Sequence, residues 1–173
     1  FLDGEFVKIH DDTNTDGALQ NIIPGSSYVR IGGMAFDSKN KIWVTNSSVP
    51  APISVRKPDG SWKNFNYGLG DAFSGEIVIT PGDVKFVQLP KGNGLFAFYN
   101  GPDLEDESDD LDRVLDLRVR YPDGDFKFLN DIYSMAIDHE GRLWVGTSQG
   151  VAVYYSPESV FYSENFFATQ PSV

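Results

Sequence analysis

Asp103, Glu105, Glu107 and Asp109 alternate along residues 101–112, a spacing at which loop carboxylates could wrap a calcium ion. An EF-hand loop counted from Asp103 needs Gly at its sixth position and Glu at its twelfth. Those positions hold Ser108 and Val114, so the pattern fails. The stretch is therefore expected to be a solvated, mobile hairpin loop, extended by repulsion among seven acids and adding little to stability. His10, Asp11 and Asp12 offer three ligand types in a row, but adjacent side chains diverge, and a zinc site needs convergence. His139 stands beside Glu140 in a turn sequence and reads as exposed. Asp37 and Asp138 recur within matching segments, and a residue repeated with its strand pair serves the strand pair. They are expected to accept hydrogen bonds from turn amides rather than to act as acid or base. The glycine turn at residues 90–94 lacks a following helix to cradle phosphate. No catalytic, cofactor-binding or metal-ligating residue is assigned, and no cofactor is expected.

Composition narrows the classes further. With 173 residues, 40% of them hydrophobic, the chain can bury a sizeable core. Seventeen Gly and ten Pro suit many turns, and 14% aromatics favour strands. There is no cysteine, which excludes disulfides, thiolate metal sites and cysteine nucleophiles. The net charge of −11 argues against a nucleic-acid partner and against docking on an anionic membrane. No apolar run reaches a membrane span, and no basic segment precedes an apolar one at the start. The first residue is Phe1, and a processed or excised piece of something longer is expected.

The segment "GGMAFDSKNKIWVTNS" at 32–47 matches "YSMAIDHEGRLWVGTS" at 133–148 without a gap. Met34 pairs with Met135, Asp37 with Asp138 and Trp43 with Trp144, each 101 residues apart. That distance suggests two units of about fifty, and a weaker middle copy is read at 83–100, with Val84 in the methionine position. A second marker, Asp-Gly followed by an aromatic, recurs at Asp3, Asp59 and Asp123 and predicts tight turns. Residues 53–57, 115–121 and 151–155 are expected to be third strands. Within 114–121, Val114, Asp116, Arg118 and Arg120 alternate with Leu115, Leu117, Val119 and Tyr121, so that strand is half-buried. The one helical signal is a short turn after Ser156 and Pro157.

Four-stranded antiparallel units of this length are blades of a β-propeller. The fold class is all-β: a partial β-propeller of about three blades, part of a larger ring. Residues 1–30 are read as the outer strand of a preceding blade and a linker, and 31–72 as a blade. Residues 73–130 are a blade with an acidic hairpin insertion at 101–112, and 131–173 an incomplete blade with a tail. An open arc exposes apolar end faces, which a longer chain, association of chains or a sandwich rearrangement would cover; truncation is favoured. Trp43 and Trp144, each between aliphatics, are expected to be buried, with removal of Trp144 costing about 3–5 kcal/mol. Trp62 and Phe126 open outer strands and are expected to be half-exposed.

The run "MAIDHEGRLWVGTSQGVAVY" resembles the two-component-regulator type of propeller repeat. Asp138, Gly141, Leu143, Trp144, Val145, Gly146, Thr147 and Gly150 fit its pattern. Asn40 and Thr45-Asn46 depart from it in the first copy, and the middle copy departs more. The resemblance implies a bacterial extracytoplasmic module, periplasmic or at the cell surface. Such repeats form sensors of hybrid histidine kinases in Bacteroidetes and occur in the propeller component of type IX secretion, which this chain resembles more. The expected function is non-catalytic binding of envelope or secretion-complex proteins, or of a glycan, with self-association through open blade faces. A ligand-sensing propeller of a hybrid kinase is the alternative, and a propeller-fold lyase or hydrolase the remote one. Asn46-Ser47-Ser48 is a formal glycosylation sequon, without weight in a bacterial chain.

Overall fold

The computed structural model describes residues 8–70, 72–121 and 124–171. Its strands form antiparallel sheets that follow one another along the chain. The first sheet holds β1 (Ile31–Phe36), β2 (Ile42–Asn46), β3 (Ile53–Arg56) and β4 (Trp62–Phe65). The second holds β5 (Ile77–Ile79), β6 (Lys85–Gln88), β7 (Leu95–Tyr99) and β8 (Leu111–Leu115). A two-stranded ribbon, β9 (Arg118–Arg120) and β10 (Phe126–Phe128), comes next. The last sheet holds β11 (Ile132–Ile137), β12 (Leu143–Thr147) and β13 (Gly150–Tyr154). Each sheet is a meander of sequential neighbours, and none closes on itself. This is a partial β-propeller.

One hairpin geometry opens all three blades. In the first, the Asp37 N–H donates to the Lys41 carbonyl; in the last, the Asp138 N–H donates to that of Arg142. The middle blade makes the same turn with Thr80 and Val84. The left-handed corner falls on Asn40 (φ 59°), Asp83 (φ 62°) and Gly141 (φ 76°). The register agrees: Met34 opposes Val44, Ile77 opposes Val87 and Met135 opposes Val145. Trp43, Phe86 and Trp144 each sit one residue before those valines.

This corrects the sequence reading of the middle copy. Ile77, not Val84, holds the methionine position, 43 residues after Met34 and 58 before Met135. The repeat is uneven, so an even division of 101 points seven residues too far along. The acidic loop accordingly joins third and fourth strands, β7 and β8, not second and third. The expected strand at 115–121 is broken in two. Its alternation survives: Leu115, Leu117 and Val119 are buried, whereas Val114 is exposed. The break falls where the Leu117 N–H donates to Asn130 Oδ1 instead of to a neighbouring strand. The Asp-Gly turn after Pro58 is present, with Gly60 at φ 91°. The turn at Asp3, the expected outer strand up to residue 7, and Pro122-Asp123 lie outside the described residues.

Two cores hold the arc together. Trp43, Ile53, Val55 and Phe65 of the first blade meet Ile77, Val87, Phe96 and Phe98 of the second. Phe86, Leu95, Ala97 and Leu115 of the second meet Met135, Leu143, Val145 and Tyr154 of the last. At each of these two joints a blade turns its Trp43-type face to the Met34-type face of the blade that follows. The first blades also touch backbone to backbone. A Cβ on Gly33 would lie 2.8 Å from Glu76 Cα, closer than real contacts allow, so β1 and β5 can approach only through glycine. Across the next joint, Glu76 Oε2 accepts from the Met135 N–H at 2.7 Å.

After β13 comes a 3-10 turn, Pro157–Phe161, as the sequence suggests, although Ser156 makes no side-chain cap. Glu158 accepts from the Gly82 N–H at 2.6 Å, and Arg113 donates to the Val160 carbonyl at 2.7 Å, so this turn clamps the last blade to the middle one. The tail then supplies what the last sheet lacks. Thr169 exchanges both backbone hydrogen bonds with Val153, and the Ala168 N–H donates to Arg118. The edge of β13 is bridged by residues 168–169 and linked through them to β9.

Candidate interaction surfaces

The repeated aspartates build turns. Asp37 Oδ1 accepts from the amides of Lys39 and Lys41, both at 2.9 Å. Its Oδ2 accepts from Trp43 Nε1 at 3.0 Å and Lys41 Nζ at 3.1 Å. Asp138 repeats this with Glu140, Arg142 and Trp144, the last at 2.7 Å. In the middle blade Thr80 Oγ1 does a smaller version of the job, accepting from the Val84 N–H at 3.2 Å. Burial opposes ionisation of Asp37, but its four donors outweigh burial and hold the carboxyl below its ordinary value. Asp138 is likewise held down, against desolvation, by Trp144 and Arg142. Carboxylates kept this acidic are poor proton donors at neutral pH. Asp37→Ala leaves a buried indole N–H and turn amides unsatisfied and is expected to cost about 1–3 kcal/mol. Because the folded carboxyl is the stronger acid, Asp37 stabilises at neutral pH, and that contribution fades as pH falls through the acid range. Asp37→Asn should flatten the acid limb of a stability profile followed by urea unfolding.

The acidic loop is docked, not free, which corrects the expected solvated hairpin. Leu104 is buried in the first core. Lys63 pairs with Glu107 at 3.0 Å and Lys57 with Glu105 at 3.0 Å, while Lys63 also donates to the Leu104 carbonyl. Tyr67 donates to Asp110 at 2.8 Å, and the Asp110 carboxyl is raised by burial. The loop therefore straps the middle blade to the outer edge of the first. Exposed ion pairs contribute little, and a buried leucine contributes more. Leu104→Ala is expected to cost about 2–3 kcal/mol, and the double change Glu105→Gln, Glu107→Gln under about 1 kcal/mol, as read by thermal melting. Equal losses would mean that charge, not burial, docks the loop.

Among the described residues, no group of three His, Asp or Glu side chains gathers as a metal site would. Asp11 instead accepts from Thr13 and Asn14, and Asp12 from Asn21. His10 packs near Trp62, with ring centroids 5.4 Å apart, and burial and nearby Lys8 and Arg56 lower its pKa. His139 is exposed in its turn, Trp62 is half-buried and Phe126 is exposed. Asn46 of the formal sequon is fully buried, accepts from the Gln20 N–H at 2.6 Å and is closed to a glycan. Trp43 is fully buried, but Trp144 is only half-buried, because no further blade covers its face. The expected cost of removing Trp144 was therefore too high for this chain.

Sequence reasoning missed Lys85, which is 1% exposed inside the first core. Its ammonium lies 4.6 Å from the centre of the Trp43 ring and donates to Asn100. Nothing in the local sequence marks it, since the hydrophobic strand pattern would place a leucine or isoleucine there, as at Leu143 and Ile42.

Among the described residues, three surfaces stand out as open. One is the Met34 face of the first blade, where Met34 and Phe36 are 68% and 67% exposed. A pocket of about 230 Å³ there is lined by Met34, Ile42, Val44, Trp62 and His10. The second is the Trp144 face of the last blade, with Val151 and Tyr155 exposed. The third is a groove of about 650 Å³ between the β9–β10 ribbon and the tail, lined by Arg120, Tyr121, Phe167 and Thr169. Arg118 lies over Phe126 at 5.6 Å and Arg120 over Phe167 at 5.8 Å. This basic and aromatic ledge stands on an otherwise acidic chain and suits a planar or acidic group.

Comparison with known proteins agrees with the geometry. Residues 128–149 match the two component regulator propeller family. No curated protein matches the chain. Among solved structures, it is similar to PorZ, an essential bacterial surface component of the type IX secretion system of Porphyromonas gingivalis. The identity is 26% and the TM-score 0.83, over 99% of this chain and 24% of that one. It is also similar to the extracellular domain of a hybrid two-component system of B. thetaiotaomicron, at 17% identity and TM-score 0.51, over 88% of this chain and 18% of that one. The chain spans about a quarter of PorZ or less of either protein. It is a partial β-propeller distantly related to PorZ, and residues 128–149 carry the two-component-regulator propeller repeat.

Proposed function

We propose that this chain is a non-catalytic, extracytoplasmic propeller module that binds protein in a cell-envelope secretion complex. The observation that carries the reading is the similarity to PorZ over 99% of the chain at a TM-score of 0.83. Support comes from the chemistry: the repeated carboxylates are consumed by turns, and the open surfaces are apolar or basic and aromatic. Protein binding is preferred to glycan binding because exposed apolar side chains, Met34 and Val151 among them, suit an apolar partner surface better than a sugar. The same similarity supports a periplasmic or cell-surface location. A sensor in a hybrid kinase is the second reading, favoured by the family match at 128–149.

Deletion of residues 1–173 in the native host separates the readings. The secretion reading expects exported cargo to accumulate in the periplasm while transcriptional responses to envelope ligands stay intact. Normal export with a lost transcriptional response would overturn it in favour of the sensor. Arg120→Glu with Phe167→Ala, which alters the ledge without touching either core, is expected to reproduce part of the export defect.

A further inference from the structure

The side chains around Arg118 leave a set of hydrogen-bond donors unused. Arg113, Asp116, Arg118, Phe128 and Phe166 line a cavity of about 250 Å³, separate from the groove beside the tail. Tyr154 stacks on Phe166 with ring centroids 4.5 Å apart. It is 2% exposed, yet its hydroxyl has no hydrogen-bond partner. Burial raises its pKa and keeps the phenol protonated, so it is a donor without an acceptor. The charged groups that act on this hydroxyl are Arg118, Arg113 and Asp116, all three of them in the cavity lining. A buried polar group left unpaired is costly and calls for a partner. Among the described residues, Arg118 makes no hydrogen bond or ion pair, and its guanidinium lies over the Phe126 ring at 5.6 Å. Arg113 donates from Nη1 alone, to the Val160 and Ser163 carbonyls at 2.7 and 3.2 Å. Asp116 is the one acid in the lining, and its carboxylate already accepts from Asn130 at 2.7 Å.

We propose that this cavity binds a single carboxylate carried on an apolar stem, with Arg118 as its cation and Tyr154 as its neutral donor. Two guanidiniums against one engaged carboxylate make the lining cationic on a chain whose net charge is −11, so an anion is favoured here. A guanidinium presents paired N–H groups that match the two oxygens of a carboxylate. Phe128, Phe166 and Val114 offer an apolar wall to the rest of the ligand. The volume admits a small acid or one acidic side chain, not a folded surface. The hydroxyl is closed to solvent, so the ligand reaches it as Phe166, which lies outside any strand, moves aside. The inference does not rest on the secretion reading, because it concerns this cavity alone.

The test is a calorimetric titration of the purified chain with phenylacetate, and with 2-phenylethanol as its neutral counterpart. Phenylacetate should bind saturably in the millimolar range, and the alcohol more weakly by about tenfold. Arg118→Gln should weaken phenylacetate by about tenfold. Tyr154→Phe, which keeps the ring against Phe166, should weaken it by about three- to tenfold. It should also melt no lower than the unchanged chain, since the hydroxyl it removes has no partner. Arg118 holds no other group by hydrogen bonds, so its variant is expected to fold, and circular dichroism checks each protein. A blocked Leu-Glu-Leu tripeptide distinguishes the sources of the carboxylate. Tighter binding than phenylacetate assigns the site to an acidic side chain of a partner, and weaker binding assigns it to a free acid. No saturable binding of phenylacetate, equal binding of the neutral alcohol, or an affinity unchanged in either variant would each overturn the proposal.

Discussion

Trp43→Ala is expected to lower the unfolding free energy by about 3–5 kcal/mol, whereas Trp144→Ala should cost only about 1–2 kcal/mol in the monomeric chain. The two residues share a repeat position, an indole bond to aspartate and a cross-strand valine. They differ in what lies beyond. Trp43 is fully buried, stacked 5.8 Å from Phe65 and 5.4 Å edge-on to Phe98. Its removal opens a cavity at the joint of two blades and takes the indole donor from Asp37. For a domain with a total stability of about 5–15 kcal/mol, that is a large share. Trp144 is only half-buried, so less contact is lost. Urea unfolding of both variants checks this, and equal losses would show that the last blade is covered.

Lys85→Met is expected to stabilise the protein by about 1–2 kcal/mol at neutral pH. Burial lowers the amine from its ordinary 10.5 to about 8. Below pH 8 both folded and unfolded states carry the proton, and the folded state bears the full cost of a buried charge. Between about pH 8 and 10.5 the unfolded chain holds a proton that the folded chain has released, so stability rises with pH across that window. Methionine removes the cost and with it that rise. Part of the gain is offset because Asn100 loses the donor to its carbonyl. Chemical unfolding of both proteins from pH 7 to 11 should show the curves converging toward the alkaline end. A destabilised variant with an unchanged pH slope would mean that the ammonium is held by the surrounding rings more strongly than burial penalises it.

The outer copies of the repeat were legible because both keep the same letters: Met, Asp and Trp at fixed spacing. The middle copy keeps the physics and changes the letters. Thr80 offers one oxygen where Asp37 offers two, and Phe86 fills the indole position without a donor. A reading that looked for tryptophan and an even period passed over it. Turn positions were clear from Asp-Gly and the hairpin patterns, since left-handed corners favour few residues. The docked acidic loop was hidden because a single leucine, Leu104, fixes it among seven acids. The tail was hidden because a bridge of two residues, Ala168 and Thr169, leaves no alternation to detect. Lys85 was hidden because burial of a charge is decided by the neighbouring blade, not by the strand that carries it.

The central claim is that this chain is an open arc whose blades are equivalent but whose last face is uncovered. Acrylamide quenching of single-tryptophan proteins tests it most directly, at concentrations where the chain is monomeric. A protein keeping only Trp43 (with Trp62→Phe and Trp144→Phe) should emit as a buried indole and resist quenching. A protein keeping only Trp144 (with Trp43→Phe and Trp62→Phe) should emit further to the red and quench readily. Equal protection of the two indoles would contradict the account, because it would mean that the arc is closed within one chain.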